Sequence, residues 1–336
     1  MEPLKFGIIG CSRIAKRSVI PAIIKSEYAE LEIIGSRSTE KAQEFTKEFD
    51  CEKFGTYDDV ISDDSVDVVY ISTPIDTHAE WSNKATAAGK HVYVEKSSTY
   101  SLESAKKMVQ SARENNVRIM EGFMFRFHQQ HQKVKELIKD GKIGKVKSFN
   151  GVFGFPAFPK GDIRYERYIK GGGFLYDSGC YPICASRMIF EEEPLGVQCI
   201  WNVNEDSTDL SGSALLSYEN GKIATITYSN GSYYQAKYEV WGTDGVISLD
   251  RAYSVPSDFT TKVTLQYNTE NNWESRRIET FEIQPQDHFL EMINAFCKEI
   301  NETKKAPFDF EQELLNQARV ISAVQRSGYS NSITSS

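Results

Sequence analysis

The sequence has none of the marks of a metalloprotein, a disulfide scaffold, a membrane protein or a nucleic-acid binder. Its six cysteines (Cys11, Cys51, Cys180, Cys184, Cys199 and Cys297) include no C-x-x-C pair and no histidine at zinc-ligand spacing. Thiols therefore fit better than a disulfide frame or a metal site, and no metal is expected. Cys180 and Cys184 could share a helix face, a spacing that small core residues use more often than ligands do. No apolar stretch reaches the length of a bilayer span. The N-terminus enters a strand after one lysine, with no apolar signal core, so a cytoplasmic protein is expected. There is no basic run and no interleaving of basic with aromatic residues, and the net charge is −8. That balance argues against nucleic acid and anionic membranes as partners and leaves small molecules. Internal repeats and low-complexity linkers are also missing.

What the chain does have is length and pattern. Its 336 residues are long for one core and comfortable for two domains. It opens with Phe6-Gly7-Ile8-Ile9-Gly10-Cys11-Ser12-Arg13-Ile14-Ala15, a buried-strand pattern that runs through a glycine turn into a helix. Dinucleotide-binding domains begin this way. Gly10 permits a tight reversal, Ser12 is small enough for backbone N–H groups to approach a pyrophosphate, and Ala15 lets the helix pack close on the strand. The anion would sit on the helix N-terminus, where unpaired N–H groups favour negative charge. Ser12 stands where a glycine is usual, so a βα turn without a ligand is the alternative.

About twenty residues further on, the second strand Leu31-Glu32-Ile33-Ile34-Gly35 leads into Ser36-Arg37-Ser38, where the adenine ribose should lie. An acidic residue there would bind a 2′-hydroxyl and repel a 2′-phosphate. Arg37 between two hydroxyls instead offers a charge-assisted fork to a phosphate, with Lys41 one turn later. NADP(H) is thus expected in preference to NAD(H). The competing reading is a solvated arginine in a turn that Ser38 caps.

To about residue 120, short β-branched runs alternate with helical stretches, including helices around Ala79 to Ala88 and Ser101 to Asn115. This predicts right-handed βαβ units and a doubly wound parallel sheet. After a helix near His131 to Asp140 the period changes to two. Strands are predicted at 146–155, 197–203, 211–218, 222–229, 238–241, 246–249, 263–267 and 278–283. Glu219-Asn220-Gly221 and Asn230-Gly231 suit hairpins. The second domain is then a mostly antiparallel sheet with helices on one face, followed by helices at Asp287 to Glu302 and Phe310 to Arg326 and a frayed tail from Ser327. The division expected is a dinucleotide-binding domain over 1–122, a substrate and oligomerisation α+β domain over 123–330, and a polar tail over 331–336.

Two segments fall at carboxyl ends of parallel strands, where such sheets bind ligands. The first, Thr73-Pro74-Ile75-Asp76-Thr77-His78, offers a rigid apolar surface beside a nicotinamide, or an ordinary strand exit with a capping or core histidine. The second, Glu95-Lys96-Ser97-Ser98, puts a lysine directly after a buried strand. Partial desolvation lowers a lysine's pKa and suits it to proton transfer; the bland alternative is an ion pair with Glu95. A third concentration is Gly171-Gly172-Gly173-Phe174-Leu175-Tyr176-Asp177-Ser178-Gly179-Cys180-Tyr181-Pro182. Its glycines permit close backbone approach, and Asp177 and Tyr181 would share one helix face. A phenol beside an ammonium titrates below about 10, because the cation favours phenolate. Arg126 and Arg164 are further substrate-contact candidates, or ion-pair partners.

These motifs, in this order and with Met120-Glu121-Gly122-Phe123-Met124-Phe125-Arg126-Phe127-His128 between them, make the chain resemble the Gfo/Idh/MocA family over nearly its whole length. The resemblance implies a Rossmann domain plus an open-faced α/β domain, and NAD(P)-dependent redox chemistry on a sugar, polyol or dihydrodiol. It also implies homodimers or homotetramers built through the open sheet. Lys96, Tyr181 and Asp177 fall at its catalytic positions. Gly10 to Ile14, Ser36 to Ser38, Lys41, Thr73, Pro74, His78, Glu95 and Lys96 are the cofactor candidates, and Arg126, Arg164, Asp177 and Tyr181 the substrate candidates. Two departures stand out. The family's Glu-Lys-Pro reads Glu95-Lys96-Ser97, without the proline's rigid turn. The common histidine of the second motif is Tyr181, as in the glucose-fructose oxidoreductase, dihydrodiol dehydrogenase and nucleotide-sugar ketoreductase branches. The reading is a hydride transfer to or from a free or nucleotide-linked sugar. Dehydrogenation of free aldoses or trans-dihydrodiols is the runner-up, a non-catalytic NADP(H)-binding sensor stands as a different class, and a glycosidase cycling bound NAD fits Arg37 poorly.

Overall fold

Buried β-branched runs build a six-stranded parallel sheet in this computed structural model, which describes residues 2–270, 273–302 and 304–330. The strands are β1 (Leu4–Ile9), β2 (Ala29–Gly35), β3 (Lys53–Gly55), β4 (Val68–Ile71), β5 (His91–Val94) and β6 (Ile119–Glu121). They lie in the order β3-β2-β1-β4-β5-β6, which reverses direction between β1 and β4. That reversal opens a ligand crevice at the carboxyl ends of the two strands. Helices α1 (Ile20–Lys25), α2 (Thr39–Phe49), α3 (Tyr57–Ser62), α4 (Ile75–Ala87) and α5 (Leu102–Glu114) connect them. Ile9, Val69, Ile71, Val92, Val94 and Ile119 pack with Ala105 and Met108 of α5 in one buried cluster. Each fully buried aliphatic side chain of this kind contributes about 1.5 to 3 kcal/mol. Helix α4 begins directly after Pro74, earlier than its apolar pattern suggests, because proline suits the helix entrance.

The same compact unit runs to Met124 and takes in 169–171 and 289–318 as well, a return that a single boundary at 122 does not include. Two further helices supply it, α6 (Gln129–Lys139) and α7 (Cys180–Phe190) belonging to the other unit: α8 (His288–Ile300) and the first turns of α9 (Phe310–Ser330). Leu314 and Ala318 complete the cluster beneath the sheet. Arg118 donates to Glu311 through Nε and Nη2, each at 2.8 Å, and to Glu299 at 2.7 Å. The Ile119 N–H adds a bond to the same Glu311.

The second unit is an eight-stranded sheet: β7 (Val146–Phe155), β8 (Gly196–Val203), β9 (Asp209–Ser217), β10 (Ile223–Asn230), β11 (Gln235–Gly242), β12 (Gly245–Leu249), β13 (Thr261–Asn268) and β14 (Arg276–Ile283). The order is β14-β13-β12-β11-β7-β10-β9-β8, and every neighbouring pair is antiparallel except β7 with β10. One face buries Phe149, Leu216, Ile226 and Tyr238, with helix α7 buried throughout. The register puts Ile200, Leu215, Ile223, Trp241 and Ile278 together on the opposite face, all exposed.

Two expectations need correction. Asn230-Gly231 is not a hairpin turn, because β7 lies between β10 and β11 and pairs with both. Residues 327–330 are not a frayed tail. Helix α9 continues through Ser330, the Ser327 hydroxyl accepts the Cys199 N–H, and Tyr329 packs edge-on against Trp201 at 4.7 Å. The predicted polar tail 331–336 lies outside the described residues. Among the described residues no helix is long and apolar enough to cross a membrane.

Candidate active site

Gly10 ends β1 at φ +105°, and a Cβ there would come within 3.1 Å of the Ser72 backbone carbon and hydroxyl. Only glycine fits both the dihedral and the space. The Ser72 hydroxyl donates to the Gly10 carbonyl at 2.9 Å, locking the turn against the end of β4. The Ser12 side chain accepts the Ala15 N–H at 3.1 Å, and Ala15 is fully buried. The N–H groups of Arg13 and Ile14 fall in the first helical turn, where no intrahelical acceptor exists. Arg13 itself is exposed.

The turn after β2 comes to the same place. Cys11 Sγ lies 3.9 Å from the Lys41 carbonyl, and burial raises its thiol pKa while Ser36 and Lys41 oppose the rise. The Ser36 hydroxyl accepts the Ser38 N–H, and the Ser38 hydroxyl accepts the Lys41 N–H, so Ser38 does cap α2. Arg37 is exposed beside Tyr57, whose hydroxyl pKa burial raises and the Arg37 charge draws back. Tyr57 in turn stacks edge-on against Trp81 at 5.0 Å. A glycine turn that tolerates no side chain, open helix-start amides and an exposed guanidinium flanked by hydroxyls fit a dinucleotide carrying an extra phosphate. Tyr57 is missing from the sequence reading, and only a capping box, Thr56 with Asp59, marks its position.

At the next two strand ends, Thr73 and Pro74 lead into α4, with the Thr77 hydroxyl bonded to the Pro74 carbonyl at 2.8 Å. His78 is buried, its Nε2 2.8 Å from the Thr73 carbonyl and its Nδ1 3.1 Å from the Ser97 carbonyl. Burial lowers its pKa, and a neutral ring, with a single N–H, donates to one of these two carbonyls at a time. Glu95 accepts the Tyr70 hydroxyl at 2.9 Å, and burial raises its pKa while the neighbouring Lys96 opposes that rise. Lys96 is half-buried, the Lys96–Ser97 peptide bond is cis, and the following Ser98 N–H donates to Glu121 at 2.6 Å.

In the second unit the glycine run carries φ +90° at Gly171 and +100° at Gly173. It opens a π-helical stretch, Leu175–Gly179, that continues as α7. Arg164 Nε donates to Asp177 at 2.8 Å, its Nη1 reaches Asp162 at 2.9 Å, and its guanidinium covers the Phe158 ring at 4.1 Å. Arg164 is thus an ion-pair partner that fixes Asp177. Tyr181 is 6% exposed on a floor of Phe153, Phe125 and Tyr253, at 5.1, 5.8 and 5.8 Å between ring centroids. Arg126 Nη1 lies 3.9 Å from Sγ of Cys184, on the helix that carries Tyr181. The sequence reading also missed Asp209, which bonds the Leu175 N–H at 2.6 Å. A single acid at a strand start carries no motif that could have marked it. Lys96 belongs to the first unit and Tyr181 to the second.

A parallel sheet with this switch point, a glycine turn under it and a helix-borne tyrosine in an α+β unit define the class of two-domain dinucleotide-binding oxidoreductases. The chain belongs to the Gfo/Idh/MocA family: residues 4–123 match its "oxidoreductase family, NAD-binding Rossmann fold" model and residues 131–248 its C-terminal domain model. It is an oxidoreductase of that family. Among its relatives, a dTDP-3,4-didehydro-2,6-dideoxy-alpha-D-glucose 3-reductase of Saccharopolyspora spinosa is 31% identical over 96% of this chain and 97% of its own length. A D-xylose 1-dehydrogenase (NADP(+)) 2 of Haloferax volcanii is 31% identical over the same shares. Among solved structures, a 3-ketoreductase from Actinomadura kijaniata in complex with NADP and TDP-benzene superposes with a TM-score of 0.88. It is 32% identical, covering 97% of this chain and 98% of that one.

Proposed function

We propose that this protein transfers hydride between NADP(H) and a sugar-type alcohol or ketone, with reduction of a nucleotide-linked ketosugar as its first reading. The observation that carries it is the exposed Arg37 between Ser36 and Ser38, next to the Gly10 turn. An arginine in that position suits a 2′-phosphate and no acidic residue ends β2. The ketoreductase relative and the NADP-containing structural neighbour support the same choice. Oxidation of a free aldose is the second reading, favoured by the xylose dehydrogenase relative.

Gly10 and the amides of the following helical turn would hold the pyrophosphate, and Thr73 and Pro74 would flank the nicotinamide. When bound, the nicotinamide gives up the hydride in reduction and takes it in oxidation. Lys96 and Tyr181 handle the proton at the substrate oxygen. In reduction the Lys96 ammonium and a Tyr181 hydrogen bond stabilise negative charge developing on the carbonyl oxygen. In oxidation the same pair, with one of the two groups deprotonated, takes up the hydroxyl proton. Asp177, held by Arg164, orients a neighbouring substrate hydroxyl.

A panel of dTDP-linked ketosugars, free ketoses and aldoses tests this, with NADPH absorbance followed in one direction and NADP reduction in the other. Turnover of a dTDP-ketosugar with NADPH is expected; inertness toward the whole panel sinks the proposal. We also propose a homodimer or homotetramer through the outer face of the eight-stranded sheet, where Ile200, Leu215, Ile223, Trp241 and Ile278 are exposed. Light scattering should give two or four times the 38.1 kDa chain mass, and a monomer rejects it.

A further inference from the structure

We infer that Asp209 is a positioning residue for Tyr181, its carboxylate fixing the start of the helix that carries the phenol. The inference rests on the proton-handling reading of Tyr181. It starts from a weakness in the sequence: three consecutive glycines, Gly171 to Gly173, precede that helix. Glycine loses more conformational freedom on folding than any other residue. The helix also has no cap of its own, because Phe174 occupies the capping position and makes no side-chain bond.

A different strand supplies the cap. Asp209 opens β9 and is buried, 5% exposed. Its Oδ2 accepts the Leu175 N–H at 2.6 Å, and the Phe174 backbone also bonds the carboxylate. Its Oδ1 lies 2.7 Å from where a Cβ on Gly173 would be, so the glycine leaves room for the anion. The neighbouring strand β10 grips the other end of the same stretch: the Tyr228 ring lies 2.8 Å from where a Cβ on Gly179 would be, and the Tyr228 hydroxyl rests against Asp209. Asp209 and Tyr228, on paired strands, therefore clamp Leu175–Gly179 at both ends, and Tyr181 follows two residues later. An anion is a costly way to cap a helix in a dry interior. The groups that face Asp209 are Tyr176 of the clamped stretch, Cys199 of β8, Tyr228 of β10 and Tyr329 of α9. Each is neutral near neutral pH, which leaves the helix-start amides and dipole as the charge's main support.

The cost shows in the titration. Burial raises the Asp209 pKa to about 6, against the pull of the Leu175 amide. The sign separates positioning from stability. A carboxyl raised in the folded state contributes stability at pH values below its ordinary range and loses that contribution as pH rises through about 6. Acidification through about 6 thus weakens the clamp without unfolding the protein through this group. Turnover should fall on the acid side while the fold persists.

The test is Asp209→Asn, which keeps the shape and one acceptor and removes the charge. NADPH binding, read by fluorescence titration, should stay within twofold of wild type. The kcat above pH 7 should fall about tenfold to hundredfold, the scale of a small misplacement at the reacting centre, and the acid limb near pH 6 should disappear from the kcat profile. A variant with wild-type kcat, or with the acid limb intact, overturns the inference. Should the variant not fold, the wild-type protein decides: its kcat should fall through an acid limb near pH 6 while its near-ultraviolet circular dichroism stays unchanged, and a flat kcat from pH 7 to pH 5 overturns the inference. Tyr181→Phe in the same assay separates the two readings. Normal turnover there rejects the role of Tyr181 itself, whereas an inactive Tyr181→Phe beside a normal Asp209→Asn rejects only the positioning.

Discussion

Tyr181→Phe and Lys96→Met should each lower kcat by about two to four orders of magnitude, the usual contribution of a positioned proton donor or acceptor, while NADPH still binds. Phenylalanine keeps the ring that packs on Phe153, Phe125 and Tyr253 and removes only the hydroxyl, so the fold and the cofactor site are left as they were. Methionine keeps the length of the lysine stem beside Glu95 and removes the charge. Rapid mixing of variant, NADPH and substrate reads the chemical step directly, and fluorescence titration reads the binding. Turnover within a few-fold of wild type in either variant would mean that the residue does not handle the proton. If both fall and the double variant falls no further, the two act as a unit.

Arg37→Ala should weaken NADPH by roughly 1.5 to 3 kcal/mol, the range of a hydrogen bond to a charged group, or about ten- to hundredfold in affinity. NADH, which lacks the phosphate, should change little. The exposed position of Arg37 makes this a clean comparison, because removing its side chain uncovers no core. The loss should also shrink as salt rises, since an exposed charge contact is screened. Equal weakening of both nucleotides, measured by titration against the purified protein, would count against phosphate recognition and reopen the choice of cofactor.

The fold was largely legible because it depends on period. The strand predicted at 146–155 is β7 as observed, and the other strands of the second unit shift by a few residues at their ends, because alternation marks a half-buried sheet wherever it occurs. Sequence order hides pairing partners, however. Nothing local says that β7 enters between β10 and β11, which is why Asn230-Gly231 read as a hairpin. β3, three residues long, is too short to show a period. The C-terminal end of α9 looked frayed because Ser327 and Ser330 are polar, whereas contacts with Cys199 and Trp201 from β8 hold it.

The candidate site was legible where chemistry and backbone coincide. Gly10 and the Ser36-Arg37-Ser38 turn combine an unusual conformation or charge with a strand end, and both lie where that pattern puts them. His78 shows the limit: a histidine beside a strand end reads as a ligand contact until its ring is seen between the Thr73 and Ser97 carbonyls. Arg164, offered as a substrate contact or an ion-pair partner, pairs with Asp177. Asp209 was invisible, because its meaning comes entirely from a glycine run more than thirty residues earlier in the chain.

Glu311 binds Arg118 from 193 residues further along, and Leu314 and Ala318 plug the cluster beneath the same sheet. A chain leaving the ribosome therefore makes its first six strands early but cannot seal them until nearly all of it has emerged. The nucleotide-binding half is begun first and finished last, and a nascent chain stopped before α9 leaves Arg118 with Glu299 but without Glu311, and an apolar gap in place of a closed floor.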